Sequence, residues 1–180
     1  MQQIQRRILY TLILIAGLAW IGISADRSAS TSPGGIHAAQ VGFLAPDFTL
    51  KTPQGESYTL SELKGKAVIV NIWATWCPPC RAEMPALQKL QDEYQSRGLI
   101  VLAVNSTVQD DPLAIAPFVK KFGLGFPILL DETGDVTRAY EVRALPSSYF
   151  ITREGRINEV VIGGPMSEAL LRTRIEEILK

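Results

Sequence analysis

The sequence predicts an α/β domain: a central mixed sheet flanked by helices, with a hairpin extension at its N-terminal end. Three observations carry that prediction. Two apolar, β-branched runs, residues 66–73 (KAVIVNIW) and 99–105 (LIVLAVN), look like strands buried on both faces. Each is followed by a segment with apolar residues at helical spacing, which implies parallel strands joined by crossovers. The last two strand-like runs are joined only by Arg153-Glu154-Gly155-Arg156, so they should pair antiparallel at one end of the sheet.

The elements follow in order. Residues 47–50 and 57–60 flank Thr52-Pro53-Gln54-Gly55, a turn cluster, and suggest the hairpin extension. After the 66–73 strand, residues 78–96 place Met84, Leu87, Leu90 and Tyr94 on one helical face, with Gly98 as the stop. The strand at 99–105 leads through a polar loop, STVQDD, to a helix over 112–122 that ends at Gly123. Residues 126–130 form a strand, 134–141 a short helix, and 148–152 and 157–162 the terminal strands. Ser167 can cap a last amphipathic helix that carries Leu170, Leu171, Ile175, Ile178 and Leu179. There is no internal repeat.

Composition narrows the function classes. The 180 residues carry 18 basic and 18 acidic side chains, one histidine and two cysteines, and 47% of them are hydrophobic. That length suits one ordinary domain with a short appendage. Zero net charge gives no electrostatic basis for nucleic-acid binding. Two cysteines are too few for a disulfide scaffold or a four-cysteine zinc site.

The averages conceal an uneven chain. Residues 8–25 are uncharged and follow Arg6 and Arg7. As a helix this run would span about 27 Å, close to the hydrocarbon thickness of a bilayer. The preceding arginines place the later chain outside the cytoplasm. A cleaved signal peptide is the competing reading; Ile23-Ser24-Ala25 is a poor cleavage site, which favours a retained single-pass anchor over residues 1–25. Cleavage would leave a secreted or periplasmic protein. Residues 26–40 are rich in Ser, Gly and Ala and read as a flexible linker, with His37 a solvated part of it. The domain at 41–180 keeps 15 basic and 17 acidic side chains, a formal charge of −2.

The two cysteines stand in Trp73-Ala74-Thr75-Trp76-Cys77-Pro78-Pro79-Cys80, where a buried strand gives way to a helix. Chemistry in open α/β sheets gathers at such carboxyl ends. Cys77 precedes the helix, whose free N–H groups and positive dipole end favour a thiolate. Cys80 follows one turn later, near enough to close a small disulfide. The arrangement makes Cys77 the exposed nucleophile and Cys80 the sheltered resolving thiol, needing no cofactor beyond the redox-active disulfide. Other readings fare worse. An inert bridge over two residues stabilises little. Half an intermolecular zinc site has no further ligand in the domain. Covalent haem needs a histidine where Arg81 stands.

The stretch VNIWATWCPPCRAEMP resembles the thioredoxin fold, and specifically the membrane-anchored thiol–disulfide oxidoreductases of the TlpA/ResA type. The resemblance runs over about residues 41–180 and includes APDFTL, FPILLD and ALPSSYFI. It implies reduction of protein disulfides outside the cytoplasm, commonly in cytochrome c maturation, with apocytochrome c among the substrates and a membrane thiol-reducing donor. By the same resemblance Pro146 matches a cis-proline opposite the cysteines; a trans loop proline is the plainer alternative. Pro85 matches a helix kink. Glu83 matches a glutamate that influences thiol protonation and would accept a proton from Cys80; an exposed helix carboxylate is the alternative. Asn71 stands where thioredoxin usually has a buried aspartate, and an amide is no base. Trp76 would form a platform for substrate, as would Trp73, although core packing explains Trp73 equally well.

Pro78 and Pro79 have no amide hydrogens, so fewer donors reach Cys77 and the pair should be reducing rather than oxidising. Two other functions compete. In a thiol peroxidase, Val70 and Ala74 would replace the proline and threonine of P-x-x-x-T-x-x-C. A metal-delivery module would need a ligating histidine in the folded domain.

Overall fold

The structure is a computed structural model that describes residues 37–180 together with Gln3 and Arg7. The chain divides into two units, Met1–Gly34 and Gly35–Lys180, and the fold is that of the second. The apolar run at 8–25 within the expected anchor over 1–25, and most of the expected linker, lie outside the described residues. Among the described residues no helix is long and apolar enough to cross a membrane.

Seven strands form one mixed sheet in the order β2-β1-β5-β4-β3-β6-β7. They are β1 (Thr49–Lys51), β2 (Ser57–Thr59), β3 (Ala67–Trp73), β4 (Leu99–Asn105), β5 (Ile128–Leu130), β6 (Ser147–Ile151) and β7 (Ile157–Ile162). The helices are α1 (Pro78–Tyr94), α2 (Pro112–Phe122), α3 (Asp135–Ala139) and α4 (Glu168–Ile178). Strands β3, β4 and β5 are parallel, and β6 and β7 run antiparallel beside β3. The expected N-terminal hairpin extends the sheet. It joins the sheet at the opposite edge, where Lys51 pairs with Leu130.

Strand β3 lies near the centre and is buried along its whole length. Its side chains alternate as a two-residue period requires. Ala67, Ile69 and Trp73 join one core cluster with Met84, Leu87, Leu90, Phe118, Leu171 and Ile175 from α1, α2 and α4. Val68, Val70 and Ile72 join the other, with Ala45, Phe48, Leu60, Val136 and Tyr140. Asn71 belongs by parity to the first row, facing α1.

Most boundaries fall within a residue or two of the sequence expectation, and three of the differences have a physical reason. Strand β5 starts at Ile128 rather than 126, since Pro127 has no amide to give to a ladder. Helix α1 ends at Tyr94; a 3-10 turn, Gln95–Arg97, then tightens before Gly98 at φ 95°. The end of the expected linker is docked on the domain: Ala38 N–H donates to the Leu44 carbonyl at 3.0 Å, and Ala39 packs on the second core cluster. His37 is exposed, with Nδ1 2.9 Å from the Ala45 carbonyl.

Candidate active site

Cys77 and Cys80 are joined in a disulfide with Cα atoms 5.3 Å apart. The bridge stands where the chain leaves the carboxyl end of β3. Cys77 is the N-cap of α1, and Pro78 and Pro79 fill its first two helical positions. Those positions have no N–H. The first amide free to face the cap is that of Cys80, which lies 3.3 Å from the Cys77 sulfur. A helix start with four free donors is thereby reduced to one near the nucleophile.

The approach to Cys77 is held from the next strand. Asp110, in the loop after β4, accepts from Thr75 N–H at 2.6 Å and Thr75 Oγ1 at 2.5 Å. It also accepts from Asn105 Nδ2 at 2.7 Å and from the Asp111 amide at 2.9 Å. The indole of Trp76 donates to the Gln109 carbonyl at 2.9 Å. With its N–H thus fixed, Trp76, the residue before Cys77, is still 56% exposed. Trp73 is wholly buried, its ring 4.7 Å from that of Phe118, and belongs to the core.

The expectation of an exposed Cys77 is corrected. Cys77 is only 2% exposed, against 0% for Cys80, and both belong to the core cluster around Trp73 and Met84. In the disulfide-bonded state both cysteines are buried at the head of the helix, so exposure does not tell nucleophile from resolving thiol.

Glu83 is fully buried, which disposes of the exposed-carboxylate alternative. It lies on the stripe of α1 that also carries Cys80, Met84 and Leu87. One carboxylate oxygen accepts from Asn71 Nδ2 at 2.8 Å, the other from the Met166 amide at 3.3 Å. Asn71 also donates to Ser148 Oγ at 2.9 Å, its partner across the β3–β6 register. Burial holds the Glu83 carboxyl above the usual carboxylate range, and the two hydrogen bonds offset part of that rise.

The Leu145–Pro146 peptide is cis, and so is Gly164–Pro165. Ile72 pairs with Ser147, so one further step of the same register sets Pro146 across from Trp73, at the sheet end from which the Cys77 loop departs. The Pro146 carbonyl accepts from Gly163 N–H at 2.7 Å. A Cβ on Gly164 would stand 2.9 Å from Pro146 Cγ and 3.0 Å from Glu83 Oε2. The loop after β7 therefore closes on both residues at once. Pro85 lies within α1 on its exposed side, away from this contact.

The structure thus brings Cys77, Cys80, Pro78, Pro79 and Trp76 together at the head of α1, with Glu83 one turn below Cys80. Sequence reasoning missed Asp110, Ser148, Gly164 and Met166. Only Gly164 left a signal, as part of Gly163-Gly164-Pro165, a turn cluster without any indication of what it touches. Among the described residues no group of three or more His, Cys, Asp or Glu side chains is placed to hold a metal ion. Val70 and Ala74, at the peroxidatic proline and threonine positions, are wholly buried apolar residues.

Known proteins resemble this chain over most of its length. The model of the AhpC/TSA family matches residues 41–160. The thiol-disulfide oxidoreductase ResA of Geobacillus kaustophilus is 37% identical over 172 residues, 96% of each chain. The thioredoxin-like protein YneN of Bacillus subtilis is 40% identical over 153 residues, 84% of this chain and 87% of its own. Among solved structures, a thiol:disulfide interchange protein of the thioredoxin family from Chlorobium tepidum superposes with a TM-score of 0.70 at 30% identity, covering 76% of this chain and 96% of the other. StoA from Bacillus subtilis gives 0.62 at 31% identity, covering 72% and 96%.

Proposed function

The chain belongs to the AhpC/TSA family and is a thiol–disulfide oxidoreductase, and we propose that it reduces protein disulfides outside the cytoplasm through Cys77 and Cys80. The observation that carries this reading is the Cys77–Cys80 disulfide at the head of α1, with a buried carboxylate one turn away.

In the dithiol state, the Cys77 thiolate attacks one sulfur of a substrate disulfide. A Cys77–substrate disulfide forms, the substrate S–S bond breaks, and one substrate thiolate leaves. Glu83 takes the proton of Cys80. The Cys80 thiolate then attacks Cys77 Sγ, which restores the internal disulfide and releases the second substrate thiolate. Two electrons pass to the substrate, and the two protons of the dithiol end on its thiols. No cofactor enters. A membrane dithiol donor reverses the exchange to restore the pair. Pro146 and Trp76 shape the surface on which the substrate lies. Apocytochrome c suits this chemistry, since its haem-attachment cysteines must be reduced before use. Residues 1–25 would hold the domain at the outer membrane face, with residues 26–36 as tether.

Replacing Cys80→Ser in the host removes the resolving step, so substrates accumulate as mixed disulfides on Cys77. Recovery of apocytochrome would fix the pathway, and recovery of many unrelated proteins would indicate a general reductase. Absence of any adduct, with fast oxidation by hydroperoxide instead, would overturn the reading in favour of a peroxidase.

A further inference from the structure

An open cleft of about 310 Å³ lies beside the active-site approach. Its apolar wall is formed by Trp76, Pro117 and Phe118, and its basic groups are Arg81 and Lys121. Arg81 stands one turn into α1, and its backbone amide donates to the Cys77 carbonyl at 3.1 Å. Its guanidinium lies 5.8 Å and 5.9 Å from the ring centroids of Phe118 and Phe122, and Nη1 donates to the Thr75 carbonyl. The Lys121 ammonium lies 5.9 Å from the Phe122 centroid. Aromatic faces thus hold two cations over the cleft.

Several cations of the described surface are paired. Lys89, Arg97, Arg172 and Arg174 all meet carboxylates. Arg81 and Lys121 form no ion pair among the described residues. The acids near the cleft in sequence are engaged elsewhere: Glu83 is buried and accepts from Asn71 and Met166, four donors take up Asp110, and Asp111 caps α2 through the Leu113 amide. Apolar surface continues past the wall, since Leu113 is 84% exposed next to the cleft residue Ala114.

We propose that this cleft receives an acidic side chain of the substrate polypeptide, from a residue within two or three positions of the cysteine that Cys77 attacks. The inference rests on the thiol-exchange reading and names its substrate class. An extended chain advances about 3.3 Å per residue, so a residue that close to the attacked sulfur can reach a cleft one helical turn from Cys77. Its carboxylate meets Arg81 and Lys121, and the apolar part of the substrate covers Trp76 and Pro117. Such steering acts on the encounter rate and weakens with salt.

The test uses the full chain in its dithiol state and three disulfide-linked peptides, identical except for Glu, Gln or Lys two residues before the cysteine. The neutral 2-hydroxyethyl disulfide serves as a fourth substrate. The Glu peptide should react about fivefold faster than the Gln peptide, the factor set by roughly 1 kcal/mol of ion pairing. The Lys peptide should be slowest, and high salt should compress the series. In the Arg81→Gln/Lys121→Gln protein the Glu-to-Gln ratio should fall to about one, and Lys121→Glu alone should push it lower than in the parent. Equal rates for Glu and Gln in the parent, or a ratio unchanged in the double variant, would overturn the inference and leave thiol exchange standing. Failure of the parent to react with 2-hydroxyethyl disulfide would overturn thiol exchange itself.

Discussion

The two oxygens of Glu83 meet one side-chain amide and one backbone amide, and neither donor carries a charge. Desolvation of the ionised form is therefore the largest influence on this group, and its pKa is raised. The sign of the pH dependence follows. A carboxyl whose folded pKa exceeds its unfolded one favours the native state fully below the unfolded value, near 4.5, and loses that contribution as pH rises through the folded value. The parent should lose stability relative to Glu83→Gln as pH climbs from about 4.5, in urea unfolding of the oxidised protein. A difference flat with pH would show that Glu83 does not titrate on folding. In catalysis the same variant should slow release of the mixed disulfide by about 10²-fold while leaving its formation intact, a split that quenched-flow trapping resolves. Asn71, which cannot be a base, acts here as the donor that makes a buried carboxylate tolerable.

Between secondary elements, the contact to test is the one between the loop after β7 and the active-site helix. Gly164 is the point of approach, and its missing Cβ is what lets the loop reach Pro146 and Glu83. Gly164→Ala must push the loop outward, at about 1–3 kcal/mol of overpacking, and should weaken the Met166 bond to Glu83. Its pH profile of stability should therefore change along with its midpoint. Gly163→Ala is the control: the added Cβ meets nothing within 4 Å, but φ is +83°, so that variant should lose stability with an unaltered profile. If both variants behave alike, the loop does not govern Glu83. Local pattern made most elements legible. Strand β4, helix α2 and strand β7 have the bounds that apolar runs, Asp111-Pro112, Gly123 and the 153–156 turn prescribe. The cysteines were legible for the same reason, since their placement depends on one strand–helix junction. Glu83 was half legible: its position among Cys80, Met84 and Leu87 put it on the buried stripe, but charge argued for solvent. Asp110 and Gly164 were not legible, because each gains its role from contacts 35 and about 80 residues away in sequence.

At the scale of the whole molecule, redox poise and stability are two sides of one cycle. The oxidised fold is more stable than the reduced fold by as much as folding lowers the reduction potential of the pair, and 30 mV corresponds to about 1.4 kcal/mol. Two features keep the fold from favouring the thiolate state. Pro78 and Pro79 leave the Cys80 amide, at 3.3 Å, as the one helix-start donor at the Cys77 sulfur. Glu83, once ionised, opposes a second negative charge at the neighbouring Cys80. Folding should therefore protect the disulfide. The potential, equilibrated against glutathione or dithiothreitol, should lie near the reducing end of thioredoxin-fold proteins, about −270 mV, and the oxidised protein should melt above the reduced one. Pro79→Ala restores a donor beside the cap, so it should raise the potential and narrow the melting difference together. A potential near about −120 mV, or a reduced form that melts higher, would make this protein an oxidant and reverse the direction of electron flow proposed for it.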